Sequence, residues 1–320
     1  MKPNVIVYRK FDERVVDFVR ETCEVVYFKE LNEGNKKEFL EELKTAQGLL
    51  GSGLVIDHEL LDHAPKLQVV SNASVGYDNF DIPLLKERGI VATNTPGVLN
   101  ETVADTVLGL MLAAARRIPE LDRFVKEGKW SSSLREEKFG TDVHHKVLGI
   151  IGMGGVGTAV AKRAHLGFNM PILYHNRSRN EEAEGMYKAV YCTLDDLLAQ
   201  SDYVCLLAPL NAQTEKMIGK REFALMKKTS IFINAARGKV IDEEALIDVL
   251  QRQEIRAAGL DVFSREPVES DNPLLSMDNV VTLPHIGSAT PETRLEMAQL
   301  AAQNLVAGLS GKIPPNIIHH

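Results

Sequence analysis

Cysteines, long apolar runs and signal-like segments are scarce in this sequence of 320 residues. Its 3 cysteines, Cys23, Cys192 and Cys205, lack the spacing of a metal site or a redox pair. We therefore expect buried free thiols, no metal and a reducing compartment such as the cytoplasm. The longest nearly uncharged run, around residues 103–115, is shorter than the roughly 20 residues that span a bilayer. The N-terminus has charges directly after a short apolar run, unlike a signal peptide, so a membrane protein is not expected.

An excess of positive charge is also missing. The 37 Lys and Arg residues are outnumbered by 44 Asp and Glu residues, for a net charge of −7. A basic surface for nucleic acid is therefore not expected, and an anionic ligand would have to meet arginines that are concentrated locally. The apolar fraction of 44% is that of an ordinary globular protein, and the length suits two domains. His319 and His320 receive no functional assignment.

Short apolar segments alternate along the chain with charged segments of helical length. This alternation predicts an α/β fold with two doubly wound domains, each built on a parallel sheet that helices cover on both faces. The predicted strands lie at residues 4–9, 24–28, 48–52, 67–73, 147–152, 170–175, 203–207, 230–235, 257–262 and 279–283.

The predicted helices of ordinary length cover residues 35–45, 57–63 and 158–167, and a Thr-x-x-Asp cap at Thr193 opens another. Two longer helical segments look like connectors, at residues 101–128 and 291–308. Thr290 suits the N-cap of the second and Pro291 its first turn, where the missing N–H costs nothing.

The last predicted helix decides the domain organisation. If it returns to the first sheet, the first domain is discontinuous in sequence. We then expect one domain of residues 1–99 with 290–320, and a second domain of residues 100–289.

A glycine-rich turn follows one predicted strand. The segment from Lys146 reads KVLGIIGMGGVG, with Gly152, Gly154 and Gly157 in a Gly-x-Gly-x-x-Gly pattern. In such a turn the first glycine permits a tight bend, the second admits a pyrophosphate, and the third lets the helix pack on the strand. Gly155 and Val156 lie where the N–H groups of a helix start face the anion. With a second strand about twenty residues on, the pattern predicts a dinucleotide site; a turn that only packs tightly is the alternative.

The second strand of this unit ends in Asn176, Arg177, Ser178 and Arg179, without an acid before Glu181. A protein that prefers NAD usually places Asp or Glu here to bind the adenosine ribose hydroxyls. Guanidinium and hydroxyl donors suit a 2′-phosphate instead. We therefore expect NADP(H) as the preferred cofactor, with NAD(H) possible. The alternative is a solvated basic turn at a strand end.

Three later segments each run from a predicted strand into a polar residue. SIFINAARG leads to Arg237, AAGLDVFSREP to Glu266, and NVVTLPHIGS to His285. The carboxyl ends of parallel strands share one sheet edge, where ligands bind, so these side chains can meet over a bound nicotinamide. Arg237 suits the carboxylate and carbonyl of a 2-oxo acid, His285 can donate a proton to the carbonyl oxygen, and Glu266 can orient the imidazole.

Each of these three residues also has an ordinary explanation. Arg237 could be a phosphate or surface arginine, Glu266 a turn acid before Pro267, and His285 a structural histidine. Their order downstream of a nucleotide motif favours the catalytic interpretation.

The motifs GMGGVG, NAARG, AGLDVFSREP and PHIGSAT, in this order, resemble those of the D-isomer-specific 2-hydroxyacid dehydrogenase family over essentially the whole chain. The resemblance implies a flavodoxin-like substrate domain and a Rossmann cofactor domain. It implies NADPH-linked reduction of small 2-oxo acids, such as glyoxylate, hydroxypyruvate and 2-ketogluconate, to D-2-hydroxy acids. It also implies an Arg–Glu–His site at Arg237, Glu266 and His285, with His285 as proton donor, and a homodimer built largely on the long helix after residue 100.

Further binding residues are implied by the same resemblance. The backbone N–H groups of Val75 and Gly76 should bind the substrate carboxylate, for which a plain strand-end turn is the alternative. Asp261 should bind the nicotinamide carboxamide, for which a surface acid facing a helix is the alternative. Residues expected to line the cofactor cleft, besides Arg237 and His285, are Ala208, Pro209, Ala235, Ala236 and Gly287.

Two other functions are compatible with these residues. The first is a family member with another substrate, such as D-lactate, phosphoglycerate or formate. The second is a nucleotide-sensing corepressor that shares the fold and the Arg–Glu–His residues. Extra terminal segments that would dock a partner are missing, so the corepressor is the less favoured interpretation.

Overall fold

The structure, a computed structural model, describes residues 2–318, so His319 and His320 lie outside the described part of the chain. The chain divides into two compact units. Residues 1–99 together with 289–320 form unit 1, and residues 100–288 form unit 2. Which unit binds the substrate and which binds the cofactor stays a prediction.

The secondary-structure elements are numbered in chain order. The strands are β1 (Asn4–Val7), β2 (Glu24–Tyr27), β3 (Gly48–Gly51), β4 (Val69–Asn72), β5 (Val91–Thr93), β6 (Leu148–Ile151), β7 (Ile172–His175), β8 (Val190–Tyr191), β9 (Tyr203–Leu206), β10 (Ile231–Asn234), β11 (Ala257–Leu260) and β12 (Val280–Thr282). The α-helices are α1 (Glu13–Thr22), α2 (Lys36–Leu43), α3 (His58–Asp62), α4 (Ile82–Glu87), α5 (Asn100–Ala115), α6 (Ile118–Lys126), α7 (Gly155–Phe168), α8 (Glu181–Tyr187), α9 (Leu194–Gln200), α10 (Lys220–Leu225), α11 (Glu243–Gln251) and α12 (Pro291–Leu309). Short 3-10 helices lie at Glu136–Lys138, Gly238–Val240 and Pro273–Ser276.

The sheet of unit 1 has the strand order β2-β1-β3-β4-β5, and all neighbouring strands are parallel. This is the flavodoxin-like order, in which the direction of winding reverses between β1 and β3. Helix α12 packs on β3, β4 and β5, so unit 1 is discontinuous in sequence. The small residues Ala298 and Ala301 of α12 let it approach Leu50 and Val69 closely, and the Ser71 hydroxyl donates a hydrogen bond to the carbonyl of Ala301 at 2.7 Å.

The sheet of unit 2 has the strand order β12-β11-β10-β9-β6-β7-β8, again with parallel neighbours. The winding reverses between β6 and β9, as in a Rossmann fold. Strands β6, β9, β10 and β11 are buried along their whole length, which explains their nearly continuous apolar sequences. The predicted fold class, two doubly wound parallel-sheet α/β units, is confirmed.

Residues 101–128 were predicted to form one continuous helix, and this prediction is wrong because they form two helices. Helix α5 ends at Ala115, and α6 begins at Ile118 after Arg117, whose φ of 56° is left-handed. Pro119 explains the break, because in a continuous helix its ring would clash with the carbonyl of Ala115. That carbonyl instead accepts a hydrogen bond from the N–H of Thr141 at 2.9 Å.

The three cysteines are free thiols, but they are not all buried. Cys23 and Cys205 are buried, whereas Cys192 is partly exposed, so the expectation of three buried thiols is wrong for Cys192. Burial raises the pKa of all three thiols, which therefore stay protonated near neutral pH. Among residues 2–318, no helix combines the length and the apolar character needed to cross a bilayer.

Candidate active site

The glycine-rich turn after β6 has the shape that a dinucleotide requires. Gly152 has a φ of 103°, and a Cβ there would lie 2.7 Å from the backbone nitrogen of Ala208. A Cβ on Gly157 would lie 2.4 Å from the carbonyl oxygen of Gly152. A Cβ on Gly154, by contrast, would meet nothing within 4 Å. The first and third glycines are therefore needed for close packing, while the second leaves open space where a pyrophosphate fits.

Helix α7 begins at Gly155, three residues before the predicted start at Thr158. Its N-cap residue is Gly154, which has no side chain to bond the first N–H groups of the helix. The N–H groups of Gly155, Val156 and Gly157 belong to the first turn, which has no intrahelical acceptors. Together with the open space at Gly154, this helix start suits an anionic pyrophosphate.

The basic turn after β7 contains two arginines with different surroundings. The Arg179 guanidinium donates two hydrogen bonds to the Glu184 carboxylate, at 2.9 and 2.7 Å, and the Tyr174 hydroxyl donates to the same carboxylate at 2.5 Å. Arg177 and Ser178 are exposed, and within residues 2–318 the guanidinium of Arg177 has no hydrogen bond or ion pair. Arg179 is thus anchored to α8, and Arg177 remains available for an anion.

Asn180 was not singled out from the sequence, although it connects the two cofactor segments. Its amide nitrogen donates to the carbonyl of Met153 at 3.0 Å and to the Thr158 hydroxyl at 3.2 Å. Its amide oxygen accepts the N–H of Ala183 at 3.0 Å and caps α8. The signal was an asparagine directly before the acidic first turn of a helix.

Arg237, Glu266 and His285 follow β10, β11 and β12, so they leave the sheet of unit 2 at one edge. His285 Nδ1 lies 2.6 Å from Glu266 Oε2, a charge-assisted distance. The loop that carries Arg237 packs against the loop that carries Glu266, since a Cβ on Gly238 would lie 1.9 Å from the backbone of Phe263, and the charge of Arg237 helps to lower the pKa of Glu266. The structure therefore brings these three predicted residues together; their catalytic roles stay a prediction.

Glu266 is held as a carboxylate. The second hydrogen bond to it comes from the N–H of Phe263 at 3.1 Å. Burial by itself favours the neutral acid, but the hydrogen bonds from His285 and Phe263 and the charges of His285 and Arg237 hold the pKa of Glu266 below its ordinary value. An ionised Glu266 holds Nδ1 of His285 and so fixes the orientation of the ring.

Asp261 organises the turn that carries His285. Its side chain is only 2% exposed, so the alternative of a surface acid is wrong. One carboxylate oxygen accepts the N–H of Ile286 at 2.7 Å and the other accepts the N–H of Gly287 at 2.8 Å. Its carbonyl accepts the N–H of His285, whose φ of 53° is left-handed. Burial raises the pKa of Asp261, although the two N–H groups oppose this shift.

The loop after β10 is organised by Asn234, a second residue that the sequence patterns did not single out. This buried asparagine accepts the N–H of Ala236 at 3.0 Å and donates to the carbonyl of Arg237 at 3.2 Å. Gly238 follows, and a Cβ there would lie 1.9 Å from the backbone of Phe263. Gly238, directly after Arg237, is therefore packed against the loop that carries Glu266. The contribution of Ala235, Ala236 and, after β9, Ala208 and Pro209 to cofactor binding stays a prediction.

Val75 and Gly76 follow β4 at the carboxyl edge of the unit 1 sheet. The side-chain amides of Asn94 and Asn72 donate to their two carbonyls, at 2.8 and 2.7 Å. Neither N–H has an acceptor within residues 2–318. The carbonyls are pinned while the N–H groups stay available, which suits an anion; substrate binding by Val75 and Gly76 stays a prediction.

A Rossmann sheet, an open glycine turn and an arginine, a carboxylate and a histidine at one edge together define a nicotinamide-dependent oxidoreductase. The family model of the D-isomer specific 2-hydroxyacid dehydrogenase NAD binding domain matches residues 108–287. The chain belongs to the D-isomer-specific 2-hydroxyacid dehydrogenase family.

Individual relatives agree with this assignment. Glyoxylate/hydroxypyruvate reductase B of Escherichia fergusonii is 50% identical over 319 residues, covering 100% of this chain and 98% of the relative. Among solved structures, the TT0316 protein from Thermus thermophilus has a TM-score of 0.90 at 39% identity, with 99% of this chain and 100% of that one covered. The NADPH-dependent glyoxylate/hydroxypyruvate reductase from Sinorhizobium meliloti, in complex with NADP and malonate, has a TM-score of 0.87 at 31% identity, with 99% and 97% covered.

Proposed function

We propose that this enzyme is an NADPH-preferring reductase that converts small 2-oxo acids, among them glyoxylate, hydroxypyruvate and 2-ketogluconate, into D-2-hydroxy acids. The observation that carries the proposal is the hydrogen bond of 2.6 Å between His285 Nδ1 and Glu266 Oε2, in the electrostatic reach of Arg237. Similarity to reductases of glyoxylate and hydroxypyruvate supports the substrate class.

Cofactor binding is assigned to unit 2. The first-turn N–H groups of α7 hold the pyrophosphate beside Gly154. Arg177 and Ser178 bind the 2′-phosphate, next to Arg179 in its fixed position. Asp261 accepts the amide of the nicotinamide carboxamide, because a carboxylate has lone pairs beyond the two that Ile286 and Gly287 occupy. When bound, the reduced nicotinamide supplies the hydride that the carbonyl carbon receives.

Arg237 and two backbone N–H groups bind the substrate, and His285, held by Glu266, supplies the proton. Arg237 binds the substrate carboxylate and carbonyl through its planar guanidinium, and the N–H groups of Val75 and Gly76 bind the carboxylate. Glu266 occupies Nδ1 of His285, so Nε2 is the nitrogen that gives its proton to the substrate oxygen. Glu266 remains ionised and stabilises the imidazolium before the transfer. His285 then leaves the step neutral and recovers a proton from solvent.

The experiment that tests this function is a steady-state panel. The three acids are each assayed with NADPH and with NADH, and pyruvate serves as the substrate of an alternative family member. We expect kcat/KM to be highest with NADPH and with at least one of the three acids. Turnover confined to NADH, or to pyruvate, would contradict the proposal. Absence of turnover with every pair at ordinary enzyme concentrations would favour the corepressor.

The assembly is proposed to be a homodimer. Exposed apolar side chains are concentrated between residues 118 and 139, on α6 and the irregular segment after it: Ile118, Val125, Trp130, Leu134 and Phe139. Apolar groups concentrated in this way are typical of a surface that a second copy covers. In sedimentation velocity we expect a dimer that becomes a monomer in Trp130→Glu. The control is Leu166→Glu on α7, which is equally exposed, at 65%.

The free buried thiols support the cytoplasm as the compartment.

A further inference from the structure

A cavity of about 510 Å³ lies in unit 1, between the loop after β1 and the first turns of α12. Arg9 lines it from the loop, Arg14 from the first turn of α1 and Arg294 from α12, while Ala73 lines it at the carboxyl end of β4. Ala73 lies two residues before Val75. The cavity is therefore at the sheet edge where the N–H groups of Val75 and Gly76 are available.

Positive charge in this cavity exceeds negative charge. Its lining contains Arg9, Lys10, Arg14 and Arg294 against Asp12 and Glu292. Asp12 is already occupied, because Arg14 donates to its two carboxylate oxygens at 2.8 and 2.9 Å. Within residues 2–318, no carboxylate pairs with Arg294 and none pairs with Arg9. Arg9 is exposed and Arg294 is half-buried, so Arg294 is the arginine that keeps its charge in a partly desolvated position without a carboxylate partner among the described residues.

Arg9 and Arg294 are close enough to repel each other. Arg294 is half-buried, and burial together with the charge of Arg9 lowers the pKa of its guanidinium. Two positive charges that are partly shielded from water repel each other. An anion bound between the two guanidinium groups would attract both of them and offset this repulsion. Nη1 of Arg9 donates to the Ser52 hydroxyl, which holds the guanidinium across the ends of β1 and β3. Winding reverses between these strands, and ligands of doubly wound sheets bind at such a point.

We propose that Arg9 and Arg294 form a subsite for a second anionic group, a carboxylate or a phosphate, at the far end of a 2-oxo acid substrate. The inference rests on the proposed function and extends it, because it adds dianionic 2-oxo acids to the substrate class. Guanidinium groups suit this role, since each offers several N–H donors to carboxylate or phosphate oxygens.

The test compares two substrates that are identical at the reacting carbon, hydroxypyruvate and 3-phosphohydroxypyruvate. Wild-type enzyme, Arg9→Met, Arg294→Met and Arg14→Met are assayed with NADPH. Arg14→Met is the matched control: it removes the same charge from the same cavity, but from an arginine that is already paired with Asp12. For the phosphorylated acid we expect kcat/KM to fall about 10- to 100-fold in Arg9→Met and Arg294→Met, as for loss of a charge-assisted contact. With hydroxypyruvate, and in Arg14→Met, we expect changes below about threefold.

Two results would overturn the subsite. One is a wild-type enzyme that reduces hydroxypyruvate but not its phosphate. The other is an equal loss in Arg14→Met, which would mean that only the general charge of the cavity matters. An enzyme that reduces neither acid nor glyoxylate would instead refute the proposed function, so the two failures can be told apart.

A binding measurement without turnover completes the test. Inorganic phosphate is titrated into the enzyme by calorimetry, without cofactor, and we expect binding to wild type and Arg14→Met that is lost in Arg294→Met. Arg294→Lys, which keeps the charge, should restore part of the binding, and Arg9→Met covers the case that Arg294→Met does not fold, since Arg9 is exposed. If phosphate binds without competing with 3-phosphohydroxypyruvate, the site serves a free anion and the substrate subsite is wrong.

Discussion

Replacing Asp261 with asparagine tests how far the turn that carries His285 depends on one buried carboxylate. Both oxygens of Asp261 are used, by the N–H groups of Ile286 at 2.7 Å and Gly287 at 2.8 Å. Asparagine has a single oxygen, and its NH₂ group is a donor. In Asp261→Asn, one of the two N–H groups therefore faces another donor inside the protein.

The size of the effect follows from these contacts. A hydrogen bond to a charged group contributes about 1.5–3 kcal/mol, and leaving the buried N–H unpaired costs a further 1–3 kcal/mol or so. The total, roughly 2.5–6 kcal/mol, divides between the unfolding free energy and a displaced turn. His285 has a left-handed φ of 53°, so its backbone relaxes when the turn is released. A displacement of 1 Å at a reacting group can cost about 10²-fold in rate. We expect kcat to fall about 10²-fold and Tm to fall by roughly 5–10 °C.

The assay measures kcat for hydroxypyruvate at saturating NADPH, Tm by calorimetry and Kd for NADPH by titration. Asp248→Asn is the control, an acid-to-amide change on α11 where Asp248 pairs with Arg252 at 2.9 Å on the surface. It should leave all three quantities nearly unchanged. A kcat of Asp261→Asn within about threefold of wild type would refute the reasoning. A raised Kd for NADPH with unchanged kcat would assign Asp261 to carboxamide binding alone.

The other predictions concern the proton donor, its carboxylate and the basic turn. His285→Ala should lower kcat about 10²–10⁴-fold while the Kd for NADPH stays nearly constant, and near-normal turnover would remove His285 from its role. The pKa of Glu266 is held below its ordinary value of 4.5. The difference in unfolding free energy between wild type and Glu266→Gln should therefore be largest above about pH 4.5 and should decrease as the pH falls through the lowered pKa. Denaturant titrations in which this difference grows toward acid pH would contradict the prediction. Arg177→Ala should raise the Kd for NADPH about tenfold and leave the Kd for NADH unchanged. Arg179→Ala should raise the Kd for NADPH less, because Glu184 already neutralises Arg179. Equal effects of the two variants would contradict the assignment.

Sequence patterns predicted the buried strands and the long helices α5, α7 and α12, whereas the amphipathic helices α1 and α11 were not singled out. Apolar segments of five or six residues, such as those around β6 and β10, stood out because both faces of these strands are buried. The two-residue strand β8 and the three-residue strand β5 were missed, because two or three residues are too few to reveal an alternation of apolar and polar side chains. The break before α6 was also missed, although Pro119 was visible, since the apolar periodicity continues across it.

What the sequence determined by itself was the chemistry at the strand ends. The glycine spacing after β6 and the positions of Arg237, Glu266 and His285 each depend on a residue and the strand directly before it. Because parallel strands end at one edge, topology alone placed these groups near each other.

Only the tertiary structure decided which of these groups are already paired. Asp261 holds Ile286 and Gly287 across 25 and 26 residues of sequence, and Arg9 meets Arg294 from the opposite end of the chain. Hydrogen bonds and charge repulsion act through distances in space of a few ångströms, which local sequence does not encode. The fold therefore decided that both oxygens of Asp261 are occupied and that the Arg9 and Arg294 cavity keeps its positive charge.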